Sequence, residues 1–431
     1  MIEKLAKFFF FLLILLIPIQ LGKHFWPSFS FVSGIRVDYL SPILYLSDIV
    51  AIVIILLFVF SKNLPRLNFN KNFIPYIVLF VLVLFLQVFV AKSPLAHFYG
   101  VLKLIEMFML GVFFAKTIQR VDIGNIARAL SVGALLSSIL GVLQMFSQHS
   151  IGGLFYLLGE RTFSISTIGI AKMNSFDMQI LRPYAAFPHP NVLAFFLFVS
   201  IVLLIWFMPY EKSKVWKIFL TMATIFSSVA LFFTFSRVII LCFVGYLFYH
   251  FVITSKKKSP LYYLLLGVLA MCTVVFLLIF QKRFFVFNSD FFDRLQLVSI
   301  TFSILKDNVL FGVGLNNFFI HELTFQKNIS PILLQPVHNI YLLVVVQLGL
   351  LGSILPTLFV WKTISRVWNN YVGEKNAQIK SLYTSVFILL VSVFIVGLFD
   401  HFLLTLQQGQ IMLTLILGLS WANFKTQKSK V

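Results

Sequence analysis

The chain alternates long apolar runs with short polar stretches over nearly its whole length. Many runs reach about 18 residues or more, roughly what a helix needs to cross the hydrocarbon core of a bilayer. The pattern predicts twelve spans, starting near Phe8, Ile43, Phe73, His97, Ile126, Pro190, Val215, Val238, Leu261, His338, Ser381 and Phe402. Phe and β-branched residues crowd these runs, yet helices are expected, because lipid offers an unpaired backbone group no partner. Two longer stretches, 147–188 and 281–337, interrupt the alternation, and loops of that length usually carry function. The expected fold class is therefore all-α: a polytopic integral membrane protein of about twelve spans, filling 1–431 as a single transmembrane domain. Its halves show no internal repeat and no matched pair of Gly/Pro-broken spans of the kind that marks transporter cores.

Charge orients this bundle. With the N-terminus in the cytoplasm and sides alternating, 21 of the 34 Lys and Arg fall in cytoplasmic segments, as the positive-inside rule requires. Both termini are then cytoplasmic, and both long loops are external. The opening "MIEKLAKFFFFLLILLIPIQ" imitates a signal peptide, but no A-x-A-like cleavage site follows, so it is read as a retained first helix. The net charge of +20 invites a nucleic-acid reading; helix orientation accounts for it, and no nucleic acid is expected as partner. Only 11% of residues are charged and 60% are hydrophobic, far from the balance of a soluble protein. Cys242 and Cys272 lie inside expected spans as packing residues.

Seven of the eight His fall on or near the outer face, and candidate chemistry gathers there. In "QPVHNIYLLVVVQLGLLG", His338 and Asn339 stand at the mouth of an apolar run containing Gly349 and Gly352. Histidine has an ordinary pKa of about 6.5, suited to taking a proton at working pH. The glycines predict a small-x-x-small face that lets a neighbouring helix approach; an interfacial His above packing glycines is the plainer reading. "LRPYAAFPHPN" places Arg182 and His189 before the sixth span, and "FTFSRVII" places Arg237 at a tight corner between two spans. An Arg at a membrane edge snorkels to headgroups or finds a partner, and its fork matches phosphate oxygens. Arg294 lies on an amphipathic stretch ending in Gly312 and Gly314, where "GVG" marks a tight turn rather than a nucleotide fingerprint. Asp400 and His401 share another external corner, and the sequon at Asn328 is short enough to arise by chance. Lys103 and Glu106, spaced i,i+3 in the fourth span, can neutralise each other. There is no D-x-D, no Walker A loop and no cluster with metal spacing. No metal or cofactor is expected, and nucleotide-driven chemistry has no support.

The H-N-x9-G-x-x-G pattern at His338 resembles the signature of O-antigen ligases, O-antigen polymerases and protein O-oligosaccharyltransferases. "RPYAAFPHPN", "FTFSR" and "DRLQLVSITFSILKDNVLFGVGLNNF" precede it in the order those proteins show. The resemblance implies a C-type glycosyltransferase-like fold and a metal-independent enzyme of the bacterial inner membrane. It implies transfer of a glycan from undecaprenyl diphosphate to an acceptor hydroxyl, such as lipid A-core, at the periplasmic face in lipopolysaccharide biosynthesis. Carried onto matching positions, His338 is the general base, Arg182, Arg237 and Arg294 hold the diphosphate, and Asn339, His189 and Asp400 support them. Two departures loosen the subfamily: Gln347 stands where an acidic residue is common, and Tyr184-Ala185-Ala186 lacks a common glycine. A polymerase shares this donor chemistry and stays open beside the ligase. A lipid-linked glycan flippase would instead bury charge near the midplane. The sugar, the acceptor and the oligomeric state have no sequence signal.

Overall fold

The computed structural model describes residues 2–61, 71–120, 122–175, 178–250, 289–325 and 334–424. The fold is mostly helical, that of a polytopic membrane protein. Among the described residues seven helices are long and apolar enough to cross a membrane: Lys71–Val90, Pro94–Thr117, Asp122–Ser147, Pro190–Tyr210, Lys214–Phe233, Ile340–Gly373 and Ala377–Gly397. Four further expected spans fall on shorter helices, Ile2–Leu16, Leu46–Val59, Arg237–Phe248 and Gln407–Trp421. The run starting near Phe402 is split at Leu406, with a four-residue turn Phe402–Thr405 before its main helix. The expected span near Leu261 and the sequon at Asn328 lie outside the described residues. Among the described residues, the named strands form three short antiparallel pairs, 22–24 with 43–45, 31–32 with 35–36 and 172–175 with 178–181, all between helices.

Contacts sort the chain into two compact units. The first comprises 1–17, 21–126 and 294–431; the second comprises 18–20 and 127–293. In the first, Ile2–Leu16 packs on Leu46–Val59, Pro94–Thr117 on Gln407–Trp421, and Ile340–Gly373 on both Ile74–Val90 and Ala377–Gly397. In the second, Pro190–Phe207 is buried along almost its whole length and packs on Lys214–Phe233 and Arg237–Phe248.

The long helix Ile340–Gly373 is broken at Gly349, whose φ of 68° lies in the left-handed region that favours glycine. The expected small-residue face needs correcting here: a Cβ on Gly349 would strike the Leu310 carbonyl and the Gly312 nitrogen, not a neighbouring helix. The segment 309–314 crosses the break and bonds to it. Val313 and Gly314 donate to Val346 and Gln347 carbonyls at 2.9 and 3.0 Å, while Leu350 and Leu351 donate to Val309 and Leu310 at 2.9 and 3.1 Å. Irregular backbone in an apolar helix survives only where such partners replace the lost ladder. Buried Gln87 seals the junction, donating to the Phe311 carbonyl and, at 2.7 Å, to that of Gln347. Gly352 does serve close approach: its Cβ would lie 3.1 Å from Val83 Cγ1 on Ile74–Val90.

Two polar clusters hold the first unit's helices. Lys103 donates to Asp48 at 2.8 Å, Glu106 at 3.0 Å and Gln407 at 3.2 Å, so the expected i,i+3 pair is one side of a larger buried network. His97, grouped with the outer-face histidines, is fully buried. Its Nε2 meets the Leu84 carbonyl at 2.9 Å and its Nδ1 accepts from the Leu315 amide at 3.0 Å. Asn317 ties to both backbone groups of Ser93.

Candidate functional site

The first unit assembles a site at the mouth of Ile340–Gly373. Asn339 is the helix N-cap: its Oδ1 accepts from the Tyr341 and Leu342 amides at 3.0 Å, satisfying two donors the helix leaves open. Its Nδ2 donates to the Leu398 carbonyl at 3.3 Å, which ties the cap to the corner after Ala377–Gly397. His338 precedes the cap, half-buried, with its ring centroid 5.0 Å from that of His401 in an edge-on arrangement. Arg294 donates to the Phe399 carbonyl at 3.0 Å. Asp400 is 8% exposed and accepts from the His401 amide at 2.8 Å. Four expected residues, Arg294, His338, Asn339 and Asp400, thus meet around one corner, 398–401.

His401 and Tyr39 join them without having been singled out as site residues. His401 is buried, meets the Thr405 hydroxyl at 2.7 Å through Nδ1, and lies 5.6 Å edge-on to Tyr39. Burial pushes its pKa down to about 4, against the pull of Asp400 and with a push from Arg294. Its ring is therefore neutral at working pH. His401 had one signal, its place beside Asp400 at an external corner. Tyr39 had none, because only the fold brings the segment after the first helix to this corner.

The second unit gathers a separate arginine cluster. Arg182 Nε donates to the Thr234 carbonyl at 2.7 Å and its Nη2 to Asn191 at 2.7 Å. Thr234 begins the corner that carries Arg237, exposed at the first turn of its helix; Phe235 takes a φ of 52° to make that turn so short. These two bonds fix the orientation of the Arg182 guanidinium. His189 is the N-cap of Pro190–Phe207, accepting from the Asn191 amide at 3.1 Å. Arg161, which sequence reading passed over in "GERTFS", donates to the adjoining Pro188 carbonyl at 2.8 Å and stands 5.4 Å over the Tyr184 ring.

Taken by itself, the first unit places a half-buried imidazole at a helix mouth; the second, by itself, gathers guanidinium groups whose planar fork matches phosphate oxygens. No curated protein matches the chain. Residues 222–357, which carry Arg237, Arg294, His338 and both motif glycines, match the family model described as O-antigen ligase, the family the sequence resembles.

Proposed function

We propose that the chain is a glycosyltransferase of the O-antigen ligase type, moving a glycan from undecaprenyl diphosphate to an acceptor hydroxyl such as lipid A-core. The observation that carries this reading is the His338–Asn339 helix mouth, packed on the 398–401 corner and lying within the family match. His338 takes the proton of the attacking hydroxyl. The new bond forms at the anomeric carbon as its bond to the diphosphate oxygen breaks, and the electron pair leaves on the diphosphate. Arg182 and Arg237 neutralise that developing charge, the kind of electrostatic stabilisation that is usually the largest catalytic contribution. Arg294 and Asp400 hold the corner against which His338 rests, and His189 fixes the helix start beside Arg182. These side chains supply base and charge without a metal. Their sidedness follows the Lys and Arg distribution: an inner-membrane protein with cytoplasmic termini and the site on the periplasmic face.

The test is a gel profile of surface glycans from a deletion strain carrying wild type or His338→Ala. Loss of all polymer, with lipid-linked glycan accumulating, is the ligase result; a single-repeat band in place of a ladder assigns polymerase. Full rescue by His338→Ala overturns the base assignment.

A further inference from the structure

In the same unit as His338 lies a cleft of about 410 Å³. One wall is the segment 29–33, another is Lys92–Ser93 at the turn between two spans, and the third is the helix Phe318–Phe325. Its volume falls in the range of about 300 to 1,000 Å³ typical of small-ligand sites.

The lining has three chemical components. Phe29 and exposed Phe31 offer apolar faces. Ser33, Ser93 and Thr324 offer hydroxyls. Lys92 supplies a cation, near enough to His321 to push that ring's pKa down alongside burial, and the described lining contains no carboxylate. Ser33 sits in a two-residue hairpin turn with Gly34, at φ of 51° and 79°, a conformation unusual for a serine. Apolar ring faces beside hydroxyls suit the mixed surface of a sugar, whose C–H face packs on aromatics while its rim hydrogen-bonds. A lone cation with no nearby counter-charge in the lining suits an anionic substituent.

The cleft connects to the site through rings. Phe319, on the cleft-forming helix, stacks on Tyr39 at 5.5 Å; Tyr39 meets His401 at 5.6 Å, and His401 meets His338 at 5.0 Å. We propose that this cleft binds the acceptor, a saccharide chain carrying an anionic group such as a phosphate, with Lys92 as the anion contact and Phe31 as the stacking face. The inference rests on the glycosyltransferase reading for the word acceptor, while the binding site itself does not.

The experiment is equilibrium binding to the purified full chain in nanodiscs. The probe is a phosphorylated core oligosaccharide freed from its lipid, and the same oligosaccharide after phosphatase treatment. Wild type should bind the phosphorylated form at least tenfold more tightly. Lys92→Ala should erase that difference and leave the phosphatase-treated form unchanged, and Phe31→Ala should weaken both. Equal binding by wild type and the Lys92→Ala/Phe31→Ala double variant, or no binding by wild type, overturns the proposal; Phe29 and Phe31 would then be interfacial anchors. A parallel transfer assay with lipid-linked donor separates the two readings. Binding lost in the variants without any transfer by wild type leaves the cleft and removes the enzyme. Transfer with an unchanged acceptor KM in both variants removes the cleft and leaves the enzyme. A change in donor KM alone assigns the cleft to the donor glycan and also overturns the proposal.

Discussion

Buried His401 and Glu322 push stability in opposite directions along the pH axis. The folded state holds His401 near a pKa of about 4, below its ordinary 6.5. The unfolded chain therefore takes that proton first, and stability present above pH 6.5 is lost as pH falls toward 4. Glu322 has no partner for either carboxylate oxygen among the described residues, and burial raises its pKa to about 8. The unfolded chain gives up that proton near pH 4.5, so stability is full below that and declines as pH rises to 8. Each slope is about 1.4 kcal/mol per pH unit inside its window. Between 4.5 and 6.5 the Glu322 slope is opposed by His401 and by His321, whose pKa burial and Lys92 also push down to about 4; from 6.5 to 8 the histidines no longer contribute and the Glu322 slope remains. Thermal midpoints in detergent should therefore fall for wild type from pH 6.5 to 8 and fall less steeply for Glu322→Gln. The same variant should gain more midpoint than wild type from pH 4.5 to 6.5, as the His321 and His401 slopes lose their opponent; a slope matching wild type would show Glu322 ionised throughout. Neither group was legible as titrating: an isolated Glu in "FFIHELTF" reads as surface, and only tertiary burial changes that.

At the scale of elements, the HN pair and its glycines were visible as a motif, but their division of labour was not. Asn339 as N-cap follows from residue type alone, since a short side-chain oxygen before an apolar run is a helix start signal. Gly349 and Gly352 look alike in sequence. One breaks the helix to receive the 309–314 segment, and the other makes room for Val83. What tells them apart is a long-range pairing with the Gly312–Gly314 turn, to which local periodicity is blind. The two should respond differently to the same substitution. Gly349→Ala combines a left-handed φ with collision against backbone, and backbone cannot swing aside; a loss of more than about 3 kcal/mol is expected. Gly352→Ala meets Leu348 Cβ at 2.9 Å and Val83 Cγ1 at 3.1 Å with no left-handed φ to strain, and should cost about 1 kcal/mol, less than Gly349→Ala. Gln87→Leu leaves the carbonyls of Phe311 and Gln347 without their shared donor, costing about 1–3 kcal/mol. Midpoints for the three variants, ordered Gly352→Ala, Gln87→Leu, Gly349→Ala from mildest to worst, check this. An equal loss at both glycines would mean that the break is not formed.

For the whole molecule, helix content and the clustering of polar chemistry follow from hydropathy because the bilayer leaves the backbone so few choices. Sidedness is proposed from a different kind of argument, the alternation of Lys and Arg; contacts within the first unit show only which ends lie together. Ends assigned to the cytoplasm touch one another: Lys7 reaches Asp122 at 2.8 Å, Arg120 reaches Gln378, and Arg366 reaches the Trp421 carbonyl at 3.2 Å. Ends assigned outside also meet, through Tyr39 and His401, Ser93 and Asn317, and Arg294 and Phe399. Contacts establish which ends share a face; the name of the face comes from charge. A membrane-impermeant maleimide distinguishes the two faces. In a background with Cys242→Ser and Cys272→Ser, Lys23→Cys should label in intact spheroplasts, and Lys375→Cys should label only after permeabilisation. Both positions are exposed, so failure to label reports the membrane rather than burial. The reverse pattern would put His338, the Lys92 cleft and the 398–401 corner in the cytoplasm, where the proposed periplasmic transfer could not take place.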